Sequence, residues 1–251
     1  MPLDPKIIQR LSKPIGIHQN EFESKIACET DIEMLKAQGM NLILHTKAYK
    51  FLTSLLSIKE TIFCIVDVET NGSKVDHHQI IEIGAVKFQN GKIIDTFESL
   101  VYCESINEQI SEITGISVAE TLEAPALSSV MADFRLFLGD AVFVGHDAKF
   151  DFKFTSAMMD RVGLGVLLNR QLCTIDLAER TFESERYGLK YLNETYALHV
   201  DAIHHRALSD AIVTTKLLEQ VLSLIPDTVH TTEELIAFSK EATRIKKLLI
   251  R

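Results

Sequence analysis

The spacing of apolar positions changes character near residue 61. Before it, helical spacing around Ile7 to Leu11 is followed by a cap-like Thr30 ahead of an amphipathic run and by Gly39 as a stop, which predicts short helices. Residues 41–58 (NLILHTKAYKFLTSLLSI) satisfy both helix and strand templates, and periodicity alone does not separate them. From residue 61, TIFCIVDV is a continuous apolar, β-branched and aromatic run, the pattern of a strand buried on both faces. IIEIGAVKF and KIIDTFESLVY then flank Asn90-Gly91, a dipeptide that tolerates the positive φ angles of a type I′ turn, so a hairpin is expected beside the first strand.

Beyond the hairpin, helical and strand patterns alternate. Leu127, Val130, Met131, Phe134 and Leu138 share one helix face, and AVFVGH reads as a second buried strand. AKFDFKFTSAMMDRVG is helical and stops at Gly163, QLCTI is a short strand, and LKYLNETYAL and RALSDAIVTTKLLEQVL are helices. After Pro226, a capping box at Thr231 and Glu234 opens a stretch with Leu235, Phe238, Ala242, Ile245 and Leu249 on one face. That face packs on its own domain or on a partner. The expected division is a small, mostly helical region at 1–60, a main α/β domain with a mixed sheet at 61–225, and a C-terminal amphipathic helix at 226–251.

Composition narrows the class. With 46% hydrophobic and 24% charged residues among 251, the chain matches soluble globular proteins and excludes disordered, collagenous and coiled-coil classes. No apolar run approaches the ~18 residues of a membrane helix, and MPLDPKIIQR lacks the apolar stretch of a signal peptide, so a cytoplasmic protein without a membrane partner is expected. Cys28, Cys64, Cys103 and Cys173 lie far apart without a C-x-x-C pair, which argues against a disulfide framework or a zinc ribbon. The net charge of −9 counts against nucleic acid as a partner, yet the acidity is concentrated: residues 61–220 carry 13 basic against 24 acidic groups. Such a surplus is a solvated surface or, in part, a site for divalent cations.

Asp67 and Glu69 stand two positions apart at the end of an apolar strand, so a period of two puts both carboxylates on one face. A lone D-x-E is usually a strand end reaching solvent, and a metal reading requires further carboxylates to converge. His146-Asp147-Ala148-Lys149-Phe150-Asp151 follows a buried strand and opens a helix. At the carboxyl end of such a strand Asp151 can face the crevice that Asp67 faces, while Asp147 is placed to cap the helix. His205 and Asp210 begin the last long helix; five helical residues would turn them about 140° apart, so His205 is expected on the preceding loop or in the first turn. His204 has no motif support.

Taken in order, D-V-E-T-N-G at 67–72, I-I-E-I-G-A-V at 80–86, H-D-A-K-F-D at 146–151 and H-R-A-L-S-D at 205–210 resemble the motifs of the DEDDh 3′ to 5′ exonucleases. The resemblance spans about 61–222 and implies a ribonuclease H-like fold; within the family it is strongest to the proofreading epsilon subunit of bacterial DNA polymerase III and its stand-alone relatives. It implies that Asp67, Glu69, Asp151 and Asp210 hold two Mg²⁺ or Mn²⁺ ions, with His205 as general base. It further implies that Thr70, Asn71, Gly72 and His146, with Ile113, Thr114 and Gly115 as a second segment, receive the 3′-terminal nucleotide. The chain departs from the family at Asp147, where Asn is usual. The function so implied is release of nucleoside 5′-monophosphates from DNA 3′ ends as a proofreading activity. The partners implied are a DNA 3′ end and polymerase III subunits or a sliding clamp. The same chemistry on RNA in maturation or turnover, and a binding or scaffolding protein built on a nuclease fold, stand as alternatives.

Overall fold

In the computed structural model, residues 4–25, 29–241 and 243–245 are described. The first helix, α1 (Pro5–Leu11), starts where the Asp4 carboxylate accepts from the Lys6 amide at 2.8 Å and proline occupies the first turn. Strand β1 (Ile17–His18), helices α2 (Gln19–Lys25) and α3 (Glu29–Ala37), and strands β2 (Leu42–His45) and β3 (Ala48–Phe51) follow. The three strands form an antiparallel sheet in the order β1-β3-β2, so the region expected to be mostly helical is a mixed unit. Residues 41–58 resolve into the β2–β3 hairpin, turning through positive φ at Thr46 and Lys47, and a 3₁₀ turn at Leu52–Ser54. Thr30 lies inside α3 and does not cap it, whereas Gly39, at φ +94°, ends the segment as expected. Leu11, Ile17, Phe22, Ile32, Met40, Leu42, Tyr49 and Phe51 bury a core of their own. Arg170 ties this unit to the rest, its guanidinium 4.7 Å from the Phe51 ring centre and paired with Glu233 at 2.7 Å.

The main sheet joins β4 (Phe63–Thr70), β5 (Ile80–Gln89), β6 (Lys92–Leu100), β7 (Val142–Gly145) and β8 (Gln171–Cys173) in the order β6-β5-β4-β7-β8. β4, β5 and β6 pair antiparallel and β4, β7 and β8 parallel, which is the mixed sheet expected. Asn90 and Gly91 both take positive φ in the β5–β6 turn. The helices are α4 (Glu108–Thr114), α5 (Val118–Leu122), α6 (Leu127–Leu138), α7 (Ala148–Arg161), α8 (Thr174–Thr181), α9 (Leu189–Tyr196), α10 (Ala207–Leu222) and α11 (Thr232–Phe238).

Alternation along β4 sorts its side chains between two cores. Cys64, Val66 and Val68 pack with Val130 and Phe134 of α6 and Phe154 and Met158 of α7. Phe63 and Ile65 pack with Leu177, Leu192, Ala211 and Leu217, on the side of α8, α9 and α10. Asp67 and Glu69 continue the second row, toward α10.

The C-terminal helix is shorter than expected. Its capping box forms, but α11 ends at Phe238. The chain is then captured by α8: the Arg180 guanidinium donates to the Glu241 carbonyl at 2.9 Å, and the Ile245 amide donates to the Glu179 carbonyl at 2.9 Å. These tertiary bonds replace the intrahelical ladder. Leu235 and Phe238 join the protein's own core, whereas Ala242 and Leu249 of the expected face lie outside the described residues.

Candidate active site

The two cores close the sheet on both faces, and β4 carries its first carboxylates, Asp67 and Glu69, only at its C-terminal end. α10 brings the next. Its start sits directly on β5, because a Cβ built at Gly84 falls 2.1 Å from the Leu208 amide nitrogen. Gly84 pairs with Asp67 across the sheet, so the missing side chain lets Asp210, one turn into α10, approach the carboxylates of β4.

Buried Glu82 fixes that approach. One oxygen accepts from Arg206 at 2.7 and 3.0 Å, and the other from the Ala207 amide at 2.9 Å, so a β5 carboxylate stands at the N-terminus of α10 in place of a local cap. His205 lies on the preceding loop, as expected, at φ +63°. Its amide donates to Asp210 Oδ2 at 2.9 Å while its ring is exposed, and donor atoms of Glu69, His205 and Asp210 lie within 4.8 Å of one another. Asp210 Oδ1 meets His204 Nδ1 at 3.0 Å. His204, which no motif singled out, therefore orients a site carboxylate.

Asp151 enters from α7. A Cβ at Gly145 would lie 2.8 Å from Asp151 Oδ2, so this second glycine opens the space for the carboxylate, which also accepts a backbone hydrogen bond from Val68. Asp147 does not cap the helix with its side chain. It adopts the left-handed conformation (φ 83°, ψ 57°) at the strand-to-helix corner, which among non-glycine residues Asn and Asp enter most readily. His146 is turned inward: Nε2 donates to the Tyr187 carbonyl at 2.8 Å, leaving Nδ1 to accept from Thr174 Oγ1 at 2.9 Å. Burial pushes its pKa down to about 4, so the ring is a neutral brace between the end of β7, α8 and the loop that precedes α9.

The remaining expected substrate residues are partly committed to shaping their own loops. Asn71 accepts from the Gln79 amide at 2.8 Å and donates to the Ser105 carbonyl at 3.2 Å, and Thr70 Oγ1 donates to the Gly72 carbonyl at 3.0 Å. The His78 ring packs where a Gly72 side chain would stand. Thr114 is buried and Gly115 ends α4 at φ +71°, leaving Ile113 as the exposed apolar member of its segment.

Burial, reinforced by neighbouring carboxylates, sets the electrostatics. Burial, then the charges of Asp151, Glu69, Asp210 and Glu82, push the Asp67 pKa well above the usual range; Asp151 is raised chiefly by burial. Glu69 is pushed up to about 7 by burial and by Asp210 and Glu82, with Arg206 opposing. Burial and mutual repulsion favour the protonated forms of Asp67, Glu69 and Asp151, hard-oxygen donors that fit Mg²⁺ or Mn²⁺ and would ionise once a divalent cation neutralised them.

A family model described as Exonuclease (RNase_T) matches residues 64–218. The chain belongs to this family of exonucleases, of the DEDDh type, and is thus a nuclease of the hydrolase class. It is 34% identical over 174 residues to the PolC-type DNA polymerase III of Staphylococcus aureus and 35% identical to that of Staphylococcus saprophyticus. Each match covers 66% of this chain but only 12% of the relative's length. Among solved structures, Exonuclease X in complex with 5′-overhanging duplex DNA is 27% identical with a TM-score of 0.55, covering 70% of this chain and 99% of that one. E. coli Exonuclease I with a dT13 oligonucleotide shares the ribonuclease H-like fold at 14% identity and a TM-score of 0.58, over 66% of this chain and 42% of that one. No helix among the described residues is long and apolar enough to cross a membrane.

Proposed function

We propose that this chain hydrolyses DNA from its 3′ end, releasing nucleoside 5′-monophosphates, and that it does so as a proofreading activity for a DNA polymerase III. One observation carries the reading: Asp67 and Glu69 of β4, Asp151 of α7 and Asp210 of α10 converge beside an exposed His205. In this reading the four carboxylates hold two Mg²⁺ or Mn²⁺ ions, which when bound lower the pKa of the attacking water and stabilise the attacking and leaving oxygens. His205 takes the proton of that water; its ring is exposed while its backbone is pinned by Asp210, so it can face substrate without losing its place. Asp210 is itself held on two sides, by His204 and by the His205 amide, and keeps a fixed orientation as charge develops. Ile113 offers an apolar surface to a terminal base, while Thr70, Asn71 and Gly72 shape the loop that receives it.

The DNA substrate is supported by the relatives, which include a DNA polymerase and nucleases solved with DNA. The replicative setting rests on the PolC likeness, with polymerase III subunits or a sliding clamp as partners and a cytoplasmic location. The test is a Mg²⁺-dependent assay on 5′-labelled DNA and RNA of matched sequence, with paired and mismatched primer ends and Asp67→Ala as control. Stepwise shortening of DNA from the 3′ end, faster at mismatches and lost in the variant, supports proofreading. A preference for RNA moves the same chemistry to RNA maturation or turnover, and absence of any metal-dependent cleavage overturns the reading.

A further inference from the structure

A groove of about 460 Å³ opens beside the carboxylates. His205 and Asp210 form one wall, and Arg186, Lys190, Tyr191 and Glu194 form the other. The second wall is firmly seated: Tyr187 and Leu192 are buried in the core, and α9 begins between them.

The cations there are only loosely held. The Arg186 side chain is 72% exposed, and its nearest carboxylate, that of its neighbour Glu185, is 3.9 Å away. Glu185 is drawn instead to Tyr191, whose hydroxyl donates to it at 3.3 Å, while the Arg186 guanidinium leans over the Tyr191 ring at 5.9 Å. Among the described residues neither Arg186 nor Lys190 donates a side-chain hydrogen bond, and Lys190 has no ion-pair partner. Cations with unfilled donors are the requirement for phosphate contact. Their position matters because the surrounding region is acidic, with 13 basic against 24 acidic groups over residues 61–220. A polyanion approaching such a surface is repelled everywhere except where cations face it.

We propose that this groove carries the strand on the 5′ side of the cleaved bond, with Arg186 and Lys190 each taking a phosphate. The proposal rests on the exonuclease reading, in which an enzyme acting at a 3′ end finds the rest of the substrate only on the 5′ side. Tyr191 serves as the floor that holds the Arg186 guanidinium over the groove, and Glu194 marks its acidic limit.

The experiment uses the full chain with Mg²⁺ and compares a thymidylate dinucleotide with a single-stranded thymidylate of about twelve nucleotides, over a series of salt concentrations. In the double variant Arg186→Ala, Lys190→Ala, the ratio of kcat/KM for the long over the short substrate falls by about tenfold, carried by KM. The slope of log affinity against log salt becomes shallower by about 1.4, the value for two lost single-strand phosphate contacts. Lys190→Glu alone shifts the ratio in the same direction. Wild-type cleavage with an unchanged ratio and salt slope in the folded double variant overturns the groove and leaves the exonuclease reading standing. Absence of wild-type cleavage of either substrate overturns that reading, and this proposal with it.

Discussion

The buried carboxylates cost the metal-free protein stability at the pH where the proposed chemistry would run. Glu69 titrates at about 7 in the folded chain against an ordinary 4.5. Because the folded state binds the proton more tightly than the unfolded state, the penalty is absent below about pH 4.5 and grows as pH rises through 7. A difference of about 2.5 units corresponds to about 3 kcal/mol, of which roughly 2 to 3 kcal/mol develops between pH 5 and pH 8. Glu69→Gln keeps the shape and removes the charge. In EDTA the variant is therefore expected to melt near the wild type at pH 5 and roughly 5 to 10 °C higher at pH 8, using ~2 to 4 °C per kcal/mol for a chain of this size. Adding Mn²⁺ should close most of the gap at pH 8, since in the proposed site only the wild type offers Glu69 as a ligand; saturation at about 100 times Kd returns ~2.7 kcal/mol against a penalty of about 3 kcal/mol. Differential scanning fluorimetry over the pH series, with and without Mn²⁺, reads both effects. A melting gap in EDTA that stays flat from pH 5 to 8, or a variant that is the less stable protein at pH 8, would refute the electrostatic reasoning.

Three further outcomes follow from the supports around the site. Gly84→Ala places a Cβ 2.1 Å from the Leu208 amide nitrogen and must push α10 off β5; a stability loss of about 3 kcal/mol in urea titration is expected, with cleavage falling further than the folded fraction. Glu82→Gln leaves Arg206 without its charged partner and weakens the acceptor for the Ala207 amide. Because Arg206 is 38% exposed, the expected loss is about 2 kcal/mol, below that of a fully buried pair, and an unchanged urea midpoint would exclude the anchoring role. Asp147→Asn keeps a side chain suited to the left-handed corner and removes an anion that raises the Asp151 pKa. The Mg²⁺ concentration for half-maximal cleavage should rise about threefold, equivalent to ~0.6 kcal/mol for one screened charge, and an identical titration curve would dispose of this effect.

Residues that break a local pattern were legible in the chain; residues that act by fitting another element were not. Asp67 and Glu69 interrupt a buried strand, and Asn90-Gly91 specifies its own turn, so local sequence was sufficient for both. The first sheet was hidden because β1 is two residues long and pairs with β3 some thirty positions away, a contact no window of periodicity contains. The last helix is shorter than its pattern for a related reason: the amphipathic spacing continues past Phe238, but hydrogen bonds to Glu179 and from Arg180 divert the backbone. Asp suits caps and left-handed corners alike and only φ distinguishes them, so the residue type predicts a side-chain cap where Asp147 forms the corner. Glu82 carried a signal, a carboxylate inside IIEIGAV, yet its meaning depends on Arg206 and Ala207, more than 120 residues later. The site is thus divided by physics. Its charged groups announce themselves where burial makes charge costly, whereas the glycines and braces that bring them together gain their role only when α10 lies on β5.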